Sequence, residues 1–195
     1  LQKVGTALLR DDWLEVFHAL NVVRQLVLHH QALLITYGKE GARSPSKHNQ
    51  MPAIRNLASS VLKHVENLRS QVAKNAIITL GDMFIGLKSK MDAEVPAVVP
   101  VLIKKCGDQA TTFLSESAES TLCHLIDSVS PSRSLSSLIS ATEHRNPTLR
   151  GKVAGFLHFL IAQKAEELRG MSVKRLRMML TKCKVRHEDV VEKSE

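Results

Sequence analysis

Apolar residues recur at helical spacing along almost the whole chain, and this constrains the fold more than any other feature. From Trp13 the stripe runs Val16, Ala19, Leu20, Val23 and Val27, the i, i+3, i+4, i+7 pattern of an amphipathic helix. Asp11 and Asp12 stand just before it, where a carboxylate can cap free N–H groups and meet the positive end of the helix dipole. Ile54, Leu57, Ala58, Val61, Leu62 and Val65 mark a second helix, and Val72, Ala73, Ala76, Ile77, Leu80 and Phe84 a third. No stretch alternates in the manner of a strand, and aromatics make up only 4% of the residues, too few for a β-sandwich or barrel. The expected class is all-α.

Breaks divide the chain into segments of one helix each. The stretch from Gly38 to Asn49 is polar and rich in breakers, and reads as a long loop. Shorter breaks fall near Leu68–Ser70, Met91–Glu94, Cys106–Thr112, Ser128–Ser132, Glu143–Pro147 and Leu168–Ser172. Helices after alternate breaks share an apolar triplet at four-residue steps: Ala19-Val23-Val27, Ala76-Leu80-Phe84, Ala118-Leu122-Ile126 and Val153-Leu157-Ile161. Their starts lie 57, 42 and 35 residues apart, the first interval holding the long loop. The other two bracket the roughly 40-residue unit of HEAT and armadillo helix pairs. The expectation is one domain over residues 1–195, an α-solenoid of about five HEAT-like helical hairpins. Its loop covers about 38–50, and a basic terminal helix, about 172–187, caps it.

Composition removes several function classes. The longest apolar run, Val95 to Ile103, contains two prolines and falls far short of the roughly 20 residues of a spanning helix, so no membrane segment is expected. The three cysteines (Cys106, Cys123 and Cys183) are odd in number and far apart, which suits a reducing intracellular compartment. No phosphate loop, nucleophile elbow, HExxH or CxxC occurs. The nine histidines are scattered, and Cys183 with His187 makes half a metal site at most. Neither an enzyme nor a cofactor or metal site is expected.

Charge is more informative. The chain has 27 Lys and Arg against 19 Asp and Glu, a formal net charge of +8. In a solenoid of helical hairpins the turns within hairpins fall along one edge of the stack. The last three of the four candidate turns carry a line of cations at or beside them: Arg69, Lys104, Lys105, Arg145, Arg150 and Lys152. The first turn, Arg10 to Trp13, carries the only tryptophan. Trp and Arg are favoured hot-spot residues, so this edge suits an acidic protein partner. The plainer alternatives are a Trp stapled to its own hairpin, and Lys or Arg that merely meet helix C-terminal dipoles. Arg150, on the first turn of its helix, is electrostatically misplaced there and needs another reason.

The run Leu68-Arg69-Ser70-Gln71-Val72-Ala73-Lys74-Asn75-Ala76-Ile77-Ile78-Thr79-Leu80 resembles the second hairpin of TOG domains in the CLASP group. Arg145-Asn146-Pro147-Thr148-Leu149-Arg150 and the opening Asp12-Trp13 resemble other TOG turns. The resemblance covers about Leu1 to Lys164 and is nearer to the crescerin family of ciliary TOG-array proteins than to the CLASPs. It implies a flat HEAT paddle that binds αβ-tubulin or the microtubule lattice by its turn edge. Such a monomeric module of a larger protein would tune microtubule growth in the cytoplasm, at the cytoskeleton or in a cilium. Carried over by position, the resemblance assigns tubulin contact to Trp13 in the first turn, Arg69 and Ser70 in the second, Lys104 and Lys105 in the third, and Arg145, Asn146 and Arg150 in the fourth.

TOG domains commonly have six HEAT repeats, where this chain has room for about five. The main rival is a HEAT scaffold within a larger array protein that does not bind tubulin. Nucleic-acid binding ranks third, because the cations spread over turns and the last helix without an aromatic platform.

Overall fold

The computed structural model describes residues 2–40, 52–108 and 110–169. Among them the elements are α1 (Gln2–Ala7), α2 (Trp13–His29), α3 (Gln31–Glu40), α4 (Pro52–His64), α5 (Ser70–Leu87), a 3₁₀ turn (Lys88–Met91), α6 (Val95–Cys106), α7 (Thr112–Ser128), α8 (Pro131–Ala141) and α9 (Pro147–Arg169). No strand occurs among the described residues, and no helix there is long and apolar enough to cross a membrane.

The helices pair as four hairpins, α1/α2, α4/α5, α6/α7 and α8/α9. The second helices stack side by side, α2 on α5, α5 on α7 and α7 on α9, while α6 packs on α8 in the opposite layer. The core lies between the layers. The stripes read from the sequence point into it: Val16, Ala19, Leu20, Val23 and Val27 of α2 are buried, as are Val72, Ala73, Ala76, Ile77, Leu80 and Phe84 of α5. Each such large side chain contributes on the order of 1.5–3 kcal/mol by leaving water.

Polar ties fix the register of neighbouring hairpins. The buried Asn75 amide of α5 donates to Phe17 O at 3.2 Å and to Asn21 Oδ1 at 3.0 Å, both on α2. Arg24 Nε of α2 meets Asp82 Oδ2 of α5 at 2.6 Å. Thr121 Oγ1 of α7 donates to Ile77 O of α5 at 3.1 Å. On the side away from the intra-hairpin turns, Asp92 accepts from the Ser130 amide at 3.0 Å and from its hydroxyl, pinning the start of α8.

Four hairpins lie among the described residues, and the expected terminal basic helix at about 172–187 falls outside them. Three expectations change. Gly38 to Glu40, expected as the start of a loop, belong to α3 instead; the remainder of that expected loop lies outside the described residues. Helix α3 adds to the expected helices; it packs against α2 and α4 after His30 ends α2. The break near Leu168 is preceded by a kink at Lys164 (φ −120°, ψ 20°), within a helix that runs on to Arg169.

The fourth apolar triplet is also displaced. In α9 the buried positions are Leu149, Val153, Phe156 and Leu160, while Ile161 is 54% exposed. Strict four-residue steps drift by about 40° each around a helix of 3.6 residues per turn, so the core face follows steps of 4, 3 and 4 instead.

Candidate functional site

The four intra-hairpin turns adjoin one another in order. His64 Nε2 of the second hairpin lies 2.8 Å from Leu8 O of the first. Lys104 Nζ of the third donates to Glu66 Oε1 of the second at 2.7 Å. Lys152 Nζ of the fourth donates to Cys106 O of the third at 2.6 Å. They therefore form one continuous edge, as the solenoid topology requires.

At the first turn, Asp12 Oδ1 accepts from the Leu14 amide at 2.9 Å and caps α2, while Arg10 NH1 reaches both carboxylate oxygens of Glu15 at 2.9 and 2.7 Å. Trp13 is the first residue of α2 and is 41% exposed, so it is not a fully packed staple. The Arg69 guanidinium sits over its ring, 5.0 Å from the centroid. That cation–π contact joins the first two turns.

The second turn is held by its own polar groups. Asn67 Oδ1 accepts from the Arg69 amide at 2.9 Å, and Arg69 O accepts from the Val72 and Ala73 amides at 3.0 Å each. Arg69 occupies the N-cap position of α5 and is exposed, with no carboxylate paired to it among the described residues. Ser70 lies one residue inside the helix, half-buried. Between Asn67 and Arg69 stands Leu68, whose side chain is wholly in solvent (102% relative exposure).

The third turn is electrostatically occupied. Lys104 is paired with Glu66, and the hydrogen bond and charge of Lys104, with Lys105 adding to them, hold the Glu66 carboxyl below its ordinary range. Asp108 is held low chiefly by the Thr111 hydroxyl, which donates to Oδ2 at 2.8 Å, and by the Ala110 amide on Oδ1 at 3.1 Å. Lys105 is half-exposed. Behind the turn, burial pushes the Cys106 thiol up to about 12.

In the fourth turn, Asn146 Oδ1 accepts from the Thr148 amide at 2.9 Å and starts α9. The puzzle of Arg150 resolves structurally: its NH1 folds back to donate to His144 O and Arg145 O, at 3.1 Å each. Arg145 points outward, exposed. Lys152 also meets Ser115 Oγ at 3.3 Å and the Glu119 carboxylate, tying α9 to α7.

The predicted residues thus lie along one edge but are not equivalent. Trp13 and Arg69 form a unit; Lys104 and Arg150 are engaged within the fold; Arg145, Asn146 and Lys105 remain accessible to different degrees. Reading for charge missed the apolar side of the edge, Leu68 and the 67%-exposed Leu9. The available signal was a leucine in a turn that belongs to no helical stripe. No group of three or more His, Cys, Asp or Glu that could hold a metal occurs among the described residues.

The CLASP N-terminal family model matches residues 36–189, which takes in the last three hairpins and leaves Trp13 upstream. TOG array regulator of axonemal microtubules protein 1 is 32% identical over 130 residues in Mus musculus and 31% over the same length in Homo sapiens, 67% of this chain in each case. Crescerin-like protein che-12 of Caenorhabditis elegans is 32% identical over 103 residues, 52% of the chain. The chain spans only 6%, 7% and 8% of these relatives, respectively. A designed armadillo repeat protein aligns over 93% of this chain and 97% of its own at 14% identity, with a TM-score of 0.39, too loose a fit to bear on the site. With most of the described solenoid inside the matched range, the chain belongs to the CLASP N-terminal family and is a TOG domain of the CLASP/crescerin type.

Proposed function

We propose that this domain binds αβ-tubulin, free or in the lattice, through the edge of its hairpin turns and thereby tunes microtubule growth. The observation that carries the reading is the exposed Trp13 under the Arg69 guanidinium, an aromatic–cation pair placed where two turns meet. Trp and Arg are among the residue types most enriched at interface hot spots. The relatives' names, as regulators of axonemal microtubules, agree with a microtubule partner and with a place in the cytoskeleton of a cilium. The role is that of a monomeric binding module in a longer protein, without catalysis, nucleic acid or membrane contact.

Affinity is expected to centre on Trp13 and Arg69, with Arg145 and Lys105 adding a salt-screened steering term. The test is co-migration with unpolymerised αβ-tubulin on size exclusion, at low and moderate salt, followed by lattice pelleting. Wild type is expected to form a complex that Trp13→Ala loses. Equal binding by a folded Trp13→Ala variant would refute the assignment. A scaffold role within an array is the second reading, favoured by the internal engagement of Lys104, Lys152 and Arg150. It predicts no tubulin complex in either assay.

A further inference from the structure

We infer that Leu68 is a second, apolar anchor of the binding edge, a preformed knob that enters an apolar recess on the partner; this rests on the tubulin reading. Three observations point to it. First, the side chain does nothing for the fold, being wholly in solvent at the tip of the second turn. The turn itself is made by its neighbours: Asn67 accepts from the Arg69 amide, and Arg69 O accepts from two amides of α5. A Ser or Asn between them would serve that geometry equally well and would not expose a leucine to water.

Second, the residue is held rigidly on both sides. The Asn67 amide donates to His64 O at 3.1 Å, and the Arg69 guanidinium is docked over Trp13. A side chain presented from a fixed backbone loses little further freedom on binding, so more of its burial appears as affinity. Third, it is not isolated. The neighbouring first turn exposes Leu9 by 67% and Trp13 by 41%, and the Trp13–Arg69 contact joins the two turns. Single exposed leucines are ordinary, but apolar residues grouped on adjoining turns mark a contact surface.

The surface fits a face of αβ-tubulin with an apolar recess beside an acidic group, which would meet Arg69, a cation paired with no carboxylate among the described residues. On this view recognition is concentrated in the first two hairpins. Loss of Leu68 should then lower affinity at every salt concentration, whereas loss of Arg145 should mainly flatten the salt dependence.

The experiment compares wild type, Leu68→Ser, Leu68→Met, Trp13→Ala and Arg145→Ala in tubulin binding across a salt series, with thermal melting of each. Leu68→Ser should weaken binding about tenfold at all salts. Its melting temperature should stay at the wild-type value, and Leu68→Met should restore most of the affinity. Wild-type affinity for Leu68→Ser alongside weakened Trp13→Ala overturns the anchor and leaves the tubulin reading standing. A lower melting temperature for Leu68→Ser also overturns it, since the residue would then be structural. No binding by wild type overturns the tubulin reading and the anchor together.

Discussion

Gly86 sits near the end of α5, where that helix meets the end of α2. A Cβ placed on it would lie 2.5 Å from Val27 Cγ1 and 2.8 Å from Val27 O. The methyl could move aside, but the carbonyl is backbone, so the two helices would have to separate. Overpacking of this kind costs about 1–3 kcal/mol, and a backbone clash belongs at the upper end. Replacing Gly by Ala inside a helix returns about 0.5–1 kcal/mol. Gly86→Ala is therefore expected to destabilise by about 1–2 kcal/mol, the difference of those terms.

Gly151 and Gly155 of α9 supply the control, because a Cβ at either meets nothing within 4 Å. There only the helix term remains, and each Ala variant should stabilise by about 0.5–1 kcal/mol. One substitution thus has opposite signs at two sites, roughly 3 to 12 °C apart in melting temperature for a chain of this size. Urea unfolding with equal slopes for all variants is the assay. If Gly86→Ala proved as stable as Gly151→Ala, the close approach of α2 and α5 would be wrong, and so would the turn spacing built on it.

Lys152→Ala should cost about 1–2 kcal/mol by removing a charged donor shared among Cys106 O, Ser115 and Glu119, whereas Arg145→Ala should leave stability unchanged; urea midpoints test both. Arg150→Ala should cost about 1 kcal/mol, because His144 O and Arg145 O lose their donor in the fourth turn, with melting temperature as the readout. Glu66 is held below its unfolded value of 4.5, so its pairing with Lys104 contributes fully above that pH and fades as the folded group protonates below it. The stability difference between wild type and Glu66→Gln should accordingly be present near about pH 6 and shrink towards about pH 3. Cys106, buried and pushed up to about 12, should resist alkylation at mildly alkaline pH until the protein is unfolded, as mass spectrometry of the modified peptides would report.

The ties that align the edge lie away from it. Asn75, Arg24–Asp82 and Thr121 set how far each second helix slides along its neighbour. A shift of one helical turn, about 5.4 Å, would carry Arg69 off the Trp13 ring. Position along the stack, rather than any single turn sequence, makes the aromatic–cation pair.

Local information settled every helix of the four hairpins, though not α3 beside them, and most helix ends. The Val16-to-Val27 and Val72-to-Phe84 stripes point inward as their 3.6-residue period demands, and Asp12 caps α2 as its place before an apolar run suggests. Helix α3 escaped because a weakly amphipathic segment, with glycine at position 38, resembles a loop when only breakers are counted. The partners of the charges could not be read along the chain at all. Lys104 finds Glu66 38 residues away, Lys152 finds Glu119 33 away, and Arg69 finds Trp13 56 away. Such pairings depend on which helix faces lie together after packing, and periodicity is blind to that. Leu68 stood outside every helical stripe, which hinted that it is no core leucine, but its full exposure belongs to the assembled turn and not to the residue. An all-helical solenoid with its turns along one edge follows from local periodicity and breaks alone. Which residues on that edge remain free to meet a partner follows from packing between segments far apart in the chain.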